Sequence, residues 1–445
     1  MRFHSFEFLG LFLPIVVLLY WWMAAKLKSR WALCFLLASS LVFYAARYWP
    51  HLGVLAGSIT VNYLLGRRIL ATGSRSLLGL GVAANLALLA FYKYSGFLLP
   101  FGISFFTFTQ IAFLVDAAER EVSQLTPVTY ALFVSFFPHS IAGPILHHRD
   151  MLEQFAWKAT ARWNEANFAS GVIHFTIGLF KKVAIADTLA PWANSSFGPN
   201  GPGDFSDAWI GLITYALQLY FDFSGYCDMA NGLAQLFNIR FPRNFDAPYQ
   251  ADSIVDFWRR WHITLSTFLR DYLLFRLPGN RVRATWMRNV FLTMLAGGIW
   301  HGAGWNFAIW GALHGSYLLA NHWFRASKRT ISPLAARCLT LLAVLIAWVP
   351  FRAETPQAAW QYWQALFGVT GTPLADSPGG AWQQIAIAVL GFAVLRLPTA
   401  ERYLEHRVIG LRHALAAALI FFFCLLLMRE SSLDLRPSDF IYFRF

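Results

Sequence analysis

LGLFLPIVVLLYWW at Leu9–Trp22 and LAAALIFFFCLLLM at Leu415–Met428 are unbroken apolar runs, without the alternation of a half-buried strand. In hydrocarbon, a run of this kind satisfies its own backbone only as a helix, because a membrane barrel strand alternates its faces. Working outward from these two segments, 57% of the 445 residues are apolar and 13% charged. A soluble domain carries about 25% charged residues. The apolar excess runs the whole length, so no detachable soluble domain is expected. At roughly 20 apolar residues per crossing, the chain predicts an all-α polytopic membrane protein with about 11 transmembrane helices plus re-entrant or interfacial helices.

The net charge of +13 comes from 36 Lys and Arg against 23 Asp and Glu. In a membrane chain this reads as positive-inside topology, and no nucleic-acid partner is expected. Cys34, Cys227, Cys338 and Cys424 stand isolated in or beside apolar segments, which suggests neither a disulfide framework nor a metal site. Only Arg2 precedes the first apolar segment, which is long, so it reads as a retained span and not a cleaved signal.

Basic clusters set the orientation. Lys26, Lys28 and Arg30 follow the first span, and Arg67, Arg68 and Arg75 follow the third. That places the N-terminus outside and both clusters in the cytoplasm. From the other end, Arg325, Lys328, Arg329 and Arg337 read as inside, Arg352–Gly380 as an outside loop and Arg396–Arg412 as inside, so the C-terminus emerges outside. Between these regions, Thr160–Asn167 reads as interfacial and Pro191–Asp207 as a loop between spans. Residues 240–288 hold nine arginines and no lysine, too polar to span.

Three stretches could carry chemistry. In DFWRRWHITLSTFLRD (Asp256–Asp271), Trp258, Trp261, Leu265, Phe268 and Tyr272 recur at helical spacing, while Arg259, His262, Ser266 and Arg270 fall opposite. One amphipathic helix fits the pattern, with arginines facing lipid phosphates or an anionic ligand. The second stretch, LTMLAGGIWHGAG, begins at Leu292 and sets His301 among glycines. Only 36 residues separate Arg288 from Arg325, which predicts a hairpin or broken helix reaching into the membrane. An ionisable residue there is a functional candidate, since burial keeps the imidazole neutral and able to take a proton from a hydroxyl. A structural histidine bonded between helices is the alternative, and it carries more weight for His314, which has no polar companion nearby in sequence. In YFDFSGYCDMAN (Tyr220–Asn231), Asp222 and Asp228 either pair structurally with an arginine or line a polar path with a direct chemical role. Serine-hydrolase elbows, phosphate-binding loops and zincin motifs are absent.

YFDFSGYCDMANGLAQLFNIRFPRNFDAPY, DFWRRWHITLSTFLRDYL and GGIWHGAGWNFAIWGALHG together resemble the membrane-bound O-acyltransferase superfamily. The similarity is to its bacterial branch of alginate O-acetylation and teichoic-acid D-alanyl transfer. GLFKKVAIADTLA, AGPILHHRDMLEQF and the terminal FIYFRF fit as well, so the likeness runs from about Gly102 to Gly315 and recurs at the end. It implies a single membrane acyltransferase domain over residues 1–445, with N-terminal spans at 1–125, a catalytic core at 126–325 and C-terminal spans at 326–445. It also implies a funnel-like core in which His301 is required for acyl transfer and His262 is the second family histidine. Arg259, Arg260 and Arg270 would attract the phosphates of the donor, with Asp222, Asp228 and Asn306 as polar support. No bound cofactor is implied: acetyl-CoA or an acyl-carrier thioester is the donor substrate. The acceptor side would be a periplasmic acetyltransferase partner or the exported polysaccharide itself, alginate or another exopolysaccharide, reached from the bacterial inner membrane. RLPGNR and HHRDM depart from the commoner pattern of that branch and leave the acceptor polymer open. The rival from another class is a transporter or export component using Asp222, Asp228 and His301 as a proton path.

Overall fold

The computed structural model describes the chain except residues 28, 124, 142, 157–159, 200, 370–379, 406–407, 434–439 and 442–445. Part of the expected outside loop at 352–380, and most of the terminal FIYFRF, therefore lie outside the described residues. All regular structure among the described residues is helical. In order the α-helices are α1 (Leu13–Lys26), α2 (Ser29–Ala45), α3 (Pro50–Thr72), α4 (Arg75–Tyr94), α5 (Ile103–Ala118), α6 (Pro127–Ser135), α7 (His148–Ala156), α8 (Glu165–Phe180), α9 (Asp187–Ser196) and α10 (Phe205–Gln235). They continue with α11 (Ile254–Arg260), α12 (Ile263–Phe268), α13 (Arg283–His301), α14 (Trp305–Ala326), α15 (Pro333–Arg352), α16 (Pro356–Leu366), α17 (Ala381–Arg396), α18 (Ala400–Glu405) and α19 (Leu411–Leu433).

Five helical segments are long and apolar enough to cross a bilayer: Phe8–Lys26, Arg75–Tyr94, Glu165–Ser196, Pro333–Arg352 and Leu411–Glu430. Ser29–Ala45, Ile103–Ala118 and Trp382–Arg396 are shorter apolar helices. Along the first span Leu11, Ile15, Leu18 and Trp22 are exposed at spacings of four and three, while Phe8, Val16 and Tyr20 are buried. An exposed apolar stripe opposite a buried one is unfavourable in water but suits a helix with lipid on one side. The protein is a multi-pass, all-helical membrane protein.

The chain forms two compact units, each discontinuous in sequence. The first comprises residues 1–180, 225–243 and 404–437. Its helix ends follow local chemistry. Gly73, at φ +64°, closes α3 in the left-handed conformation that glycine adopts without strain, and the Ser74 side chain caps α4. Polar residues join its apolar helices: Asn62 and Asn85 exchange side-chain hydrogen bonds, Gln110 donates to Ser58, and Tyr130 donates to Gln110. Such pairs tie helices together where the alternative is an unsatisfied amide in hydrocarbon. α8 meets the C-terminal half of α10 through glycines. A Cβ on Gly178 would lie 2.6 Å from the Gly225 carbonyl, and one on Gly232 would lie 2.6 Å from that of Gly171.

The second unit comprises residues 181–224, 244–403 and 438–445. It differs from the sequence reading in two places. The segment Pro191–Asp207 is not all loop, because α9 runs through Pro191 to Ser196 and α10 begins at Phe205. Pro191 costs α9 only the hydrogen bond to its first residue, so the helix continues. The amphipathic helix expected over Asp256–Asp271 is broken, as described below. The hairpin expected between Arg288 and Arg325 is present as α13 and α14, joined by Gly302–Gly304. A Cβ on Gly298 would meet the Phe307 carbonyl at 2.2 Å, and one on Gly311 the Met294 carbonyl at 2.6 Å. Glycine at these positions lets the two backbones approach directly, which fixes where the hairpin turns.

Candidate active site

His301 is the last residue of α13, buried at the turn of the hairpin. Its Nδ1 lies 2.7 Å from the Gly297 carbonyl. A carbonyl only accepts, so Nδ1 carries the proton and donates, and the neutral ring has its lone pair on Nε2. Aromatic rings enclose it: Trp300 at 4.8 Å, Trp310 at 4.9 Å and Phe351 at 5.3 Å between centroids. At the second residue of α14, Asn306 donates from Nδ2 to the Ala353 carbonyl and ties the hairpin to the end of α15. The support role expected for Asn306 is thus a link between helices.

His262 is fully buried and sits at φ +44°, in the left-handed region, between α11 and α12. This corrects the continuous helix over Asp256–Asp271 and the polar face that grouped His262 with the arginines. The physical cause is Asn244. Its carbonyl accepts from Ile263 N at 2.9 Å, and its Oδ1 accepts from Thr264 N at 3.2 Å and from Thr264 Oγ1 at 2.9 Å. The first donors of α12 are satisfied by residue 244 and not by the preceding turn, so the helix restarts. The same Oδ1 accepts from His262 Nδ1 at 3.1 Å, which again leaves the lone pair on Nε2. Burial, with His301 nearby as the lesser cause, holds His262 well below the usual histidine range. His262 lies between short helices, outside the spanning segments.

The arginines do not act as one patch. Arg260 donates to Asp256 at 2.8 Å, and Arg270 makes two bonds to Asp271 at 2.7 and 3.1 Å. The hydrogen bonds to Asp271 strengthen the hold of Arg270 on its proton. Arg259 is exposed and has no ion pair among the described residues. Asp222 is fully paired: Lys182, on the π-helical turn Lys181–Ala186, donates to it at 2.7 Å and also contacts Asp187 at 2.8 Å. Its other oxygen accepts from Ile441 N at 2.9 Å. Structural pairing with an arginine was one of the two alternatives for Asp222; the carboxylate is paired, but its partner is a lysine 40 residues away. Asp228 belongs to the first unit, where His174 Nε2 donates to it at 3.3 Å while His174 Nδ1 accepts from Gln235. The acidic residues are thus anchors within their own units.

Sequence reasoning missed Asn244 and Lys182, whose partners are remote in the chain. For His314 it favoured a histidine bonded between helices, and such a bond is present. Fully buried in α14, His314 accepts at Nδ1 from the Trp258 indole N–H, 3.3 Å away, and its ring lies 4.8 Å from Trp310. The polar companion that looked absent comes from α11.

What this arrangement can do is accept a proton from a hydroxyl at a dry, aromatic-walled position. Comparison with known proteins identifies the family. The family model described as MBOAT, membrane-bound O-acyltransferase family, matches residues 12–349. The protein "Probable alginate O-acetylase AlgI" of Azotobacter vinelandii is 41% identical over 425 residues, covering 88% of this chain and 83% of that protein. The "Peptidoglycan O-acetyltransferase" of Helicobacter pylori is 40% identical over 425 residues, covering 84% and 81%. The "Teichoic acid D-alanyltransferase" of Bacillus subtilis is 28% identical over 263 residues, covering 55% and 65%. With a match of this extent, the chain belongs to the membrane-bound O-acyltransferase family and is an acyltransferase.

Proposed function

We propose that this protein takes an acetyl group from a cytoplasmic thioester, acetyl-CoA or an acyl-carrier thioester, and passes it across the bacterial inner membrane for O-acetylation of an exported polysaccharide. The acceptor is a hydroxyl of the polymer, alginate or another exopolysaccharide, or of a periplasmic acetyltransferase that relays it. One observation carries the reading: the Gly297 carbonyl holds the proton of His301 on Nδ1, leaving a basic Nε2 in a buried aromatic site.

In this reaction His301 Nε2 takes the hydroxyl proton as the oxygen attacks the thioester carbonyl carbon. The new C–O bond forms while the carbonyl electrons move to oxygen. Collapse of that intermediate breaks the C–S bond, and the leaving thiolate recovers the proton from the imidazolium. Ester and thiol are the products. The aromatic wall keeps water from competing for the acyl group. Exposed Arg259 is the arginine available to donor phosphates, since Arg260 and Arg270 are engaged by carboxylates. The transport rival loses support from the Lys182–Asp222 pair, which neutralises the carboxylate it would need.

The test is acetyl-thioester consumption by the purified full-length protein in lipid, comparing wild type with His301→Ala. Turnover lost in a variant that remains folded is the expected result. Equal turnover in the two proteins would remove His301 from this role.

A further inference from the structure

His314 presents the opposite polarity to His301. Because Trp258 Nε1–H donates to its Nδ1, the neutral ring must carry its proton on Nε2. That Nε2 atom is buried and has no hydrogen-bond partner among the described residues. An N–H donor left without a partner in a buried position is destabilising, so its retention calls for an explanation. The Trp310 indole contacts both imidazoles, His301 at 4.9 Å and His314 at 4.8 Å between centroids, each ring edge-on to it. Phe257 stacks on His314 at 6.1 Å and Trp258 meets it edge-on at 5.0 Å, so the ring is held from three sides.

We infer that His314 is a further catalytic residue, whose Nε2–H donates to the carbonyl oxygen of the acyl group and stabilises the oxyanion that forms there. The inference rests on the acyl-transfer reading above. Trp258 is then a positioning residue, acting through the tautomer it imposes on His314. The two imidazoles divide the work: His301 Nε2 takes the hydroxyl proton, and His314 Nε2–H receives the charge that moves onto the carbonyl oxygen. Hydrogen bonds of about 2.9 Å at each end and an attack distance of about 3.3 Å call for two rings lining one small site, a requirement with which the packing of both imidazoles on one indole is consistent. No proton is consumed at His314, because it donates a hydrogen bond throughout and its proton stays on Nε2. When the C–S bond breaks, the oxygen regains its double bond and the hydrogen bond weakens.

The experiment uses the full-length protein in lipid with acetyl thioester, and compares kcat and KM of wild type, His301→Ala, His314→Phe and His314→Gln. Thermal unfolding midpoints confirm that each variant is folded. Phe fills the space without a donor, and Gln restores an N–H. The expected result is a kcat lower by about 10²–10³ for His314→Phe with KM little changed, and recovery of most of that loss in His314→Gln. A packing role would give the reverse order, Phe better than Gln, and would overturn the inference, as would a wild-type kcat in His314→Phe. Trp258→Phe provides a second route if His314→Phe does not fold. Freed of its tautomer constraint, the wild-type background should lose about tenfold or more in kcat, whereas the His314→Gln background, whose donor does not depend on Trp258, should lose nothing further. Additive losses would overturn the assignment. Wild-type turnover no faster than His301→Ala would sink the acyl-transfer reading itself, a result distinct from a His301-dependent reaction that ignores position 314.

Discussion

His262 shows how much one residue's environment departs from its sequence neighbourhood. It is neutral, fully buried and in a backbone conformation that non-glycine residues adopt rarely. Its depressed pKa links folding to pH. In the unfolded chain a histidine binds its proton below about pH 6.5, whereas folded His262 does not. The unfolded state therefore binds more protons below that pH, and stability falls as pH falls, by up to about 1.4 kcal/mol per pH unit for one such group. His262→Asn keeps a side-chain N–H for Asn244 and tolerates the left-handed conformation. Its unfolding midpoint should therefore fall less steeply than that of wild type between about pH 6.5 and 5. Parallel slopes in the two proteins would show that His262 is not a buried neutral group. The sequence could suggest that this histidine mattered, but not its place. The apolar stripe from Trp258 to Tyr272 passes through the break in register, and the cap that causes the break comes from Asn244, 18 residues earlier. Periodicity records side-chain spacing and is blind to a partner supplied from elsewhere.

At the scale of elements the hairpin was legible and its tightness was not. The short interval between Arg288 and Arg325 pointed to a hairpin or broken helix, and the glycines around His301 marked a site of unusual backbone. Which glycines face which carbonyls is a property of the pairing of α13 with α14. A methyl group on Gly298 would press into the Phe307 carbonyl, which the opposing backbone cannot yield without the helices separating. Gly298→Ala should therefore lower kcat by about 10²-fold or more through displacement of His301 by ~1 Å, with the donor KM less affected. Gly304→Ala is the control, since a Cβ there meets nothing closer than 3.8 Å. Steady-state kinetics of both variants decide the matter, and equal activities would show that the close approach does not govern the histidine. The Lys182–Asp222 pair belongs to the same scale. Sequence alone offered the carboxylate without its partner, because Lys182 stands 40 positions earlier, on a π-helical turn.

For the whole molecule, the hydrophobic runs decided the class of fold, and the basic clusters supplied an orientation. α15 has 20 residues, about 30 Å of helix, so its two ends reach opposite faces of a bilayer. With the four native cysteines replaced, Thr355→Cys beyond its C-terminal end should react with a membrane-impermeant maleimide applied to intact spheroplasts. Ser327→Cys, before its N-terminal end, should react only after the membrane is opened. The inverse labelling pattern would reverse the proposed orientation. The two compact units, each assembled from distant stretches of chain, were not legible, because their segments are brought together by contacts between residues remote in sequence.

The length of α13 also acts as a ruler. His301 stands 13 residues beyond Arg288, about 20 Å along the helix axis from the nearest arginine at its polar end. Under the proposed acyl transfer, a donor whose charged end rested at that arginine would need an arm of about that length to bring its acyl carbon to the histidine. One added turn of α13 would carry the histidine about 5.4 Å further from that end, turning helix length itself into a determinant of which thioesters can react.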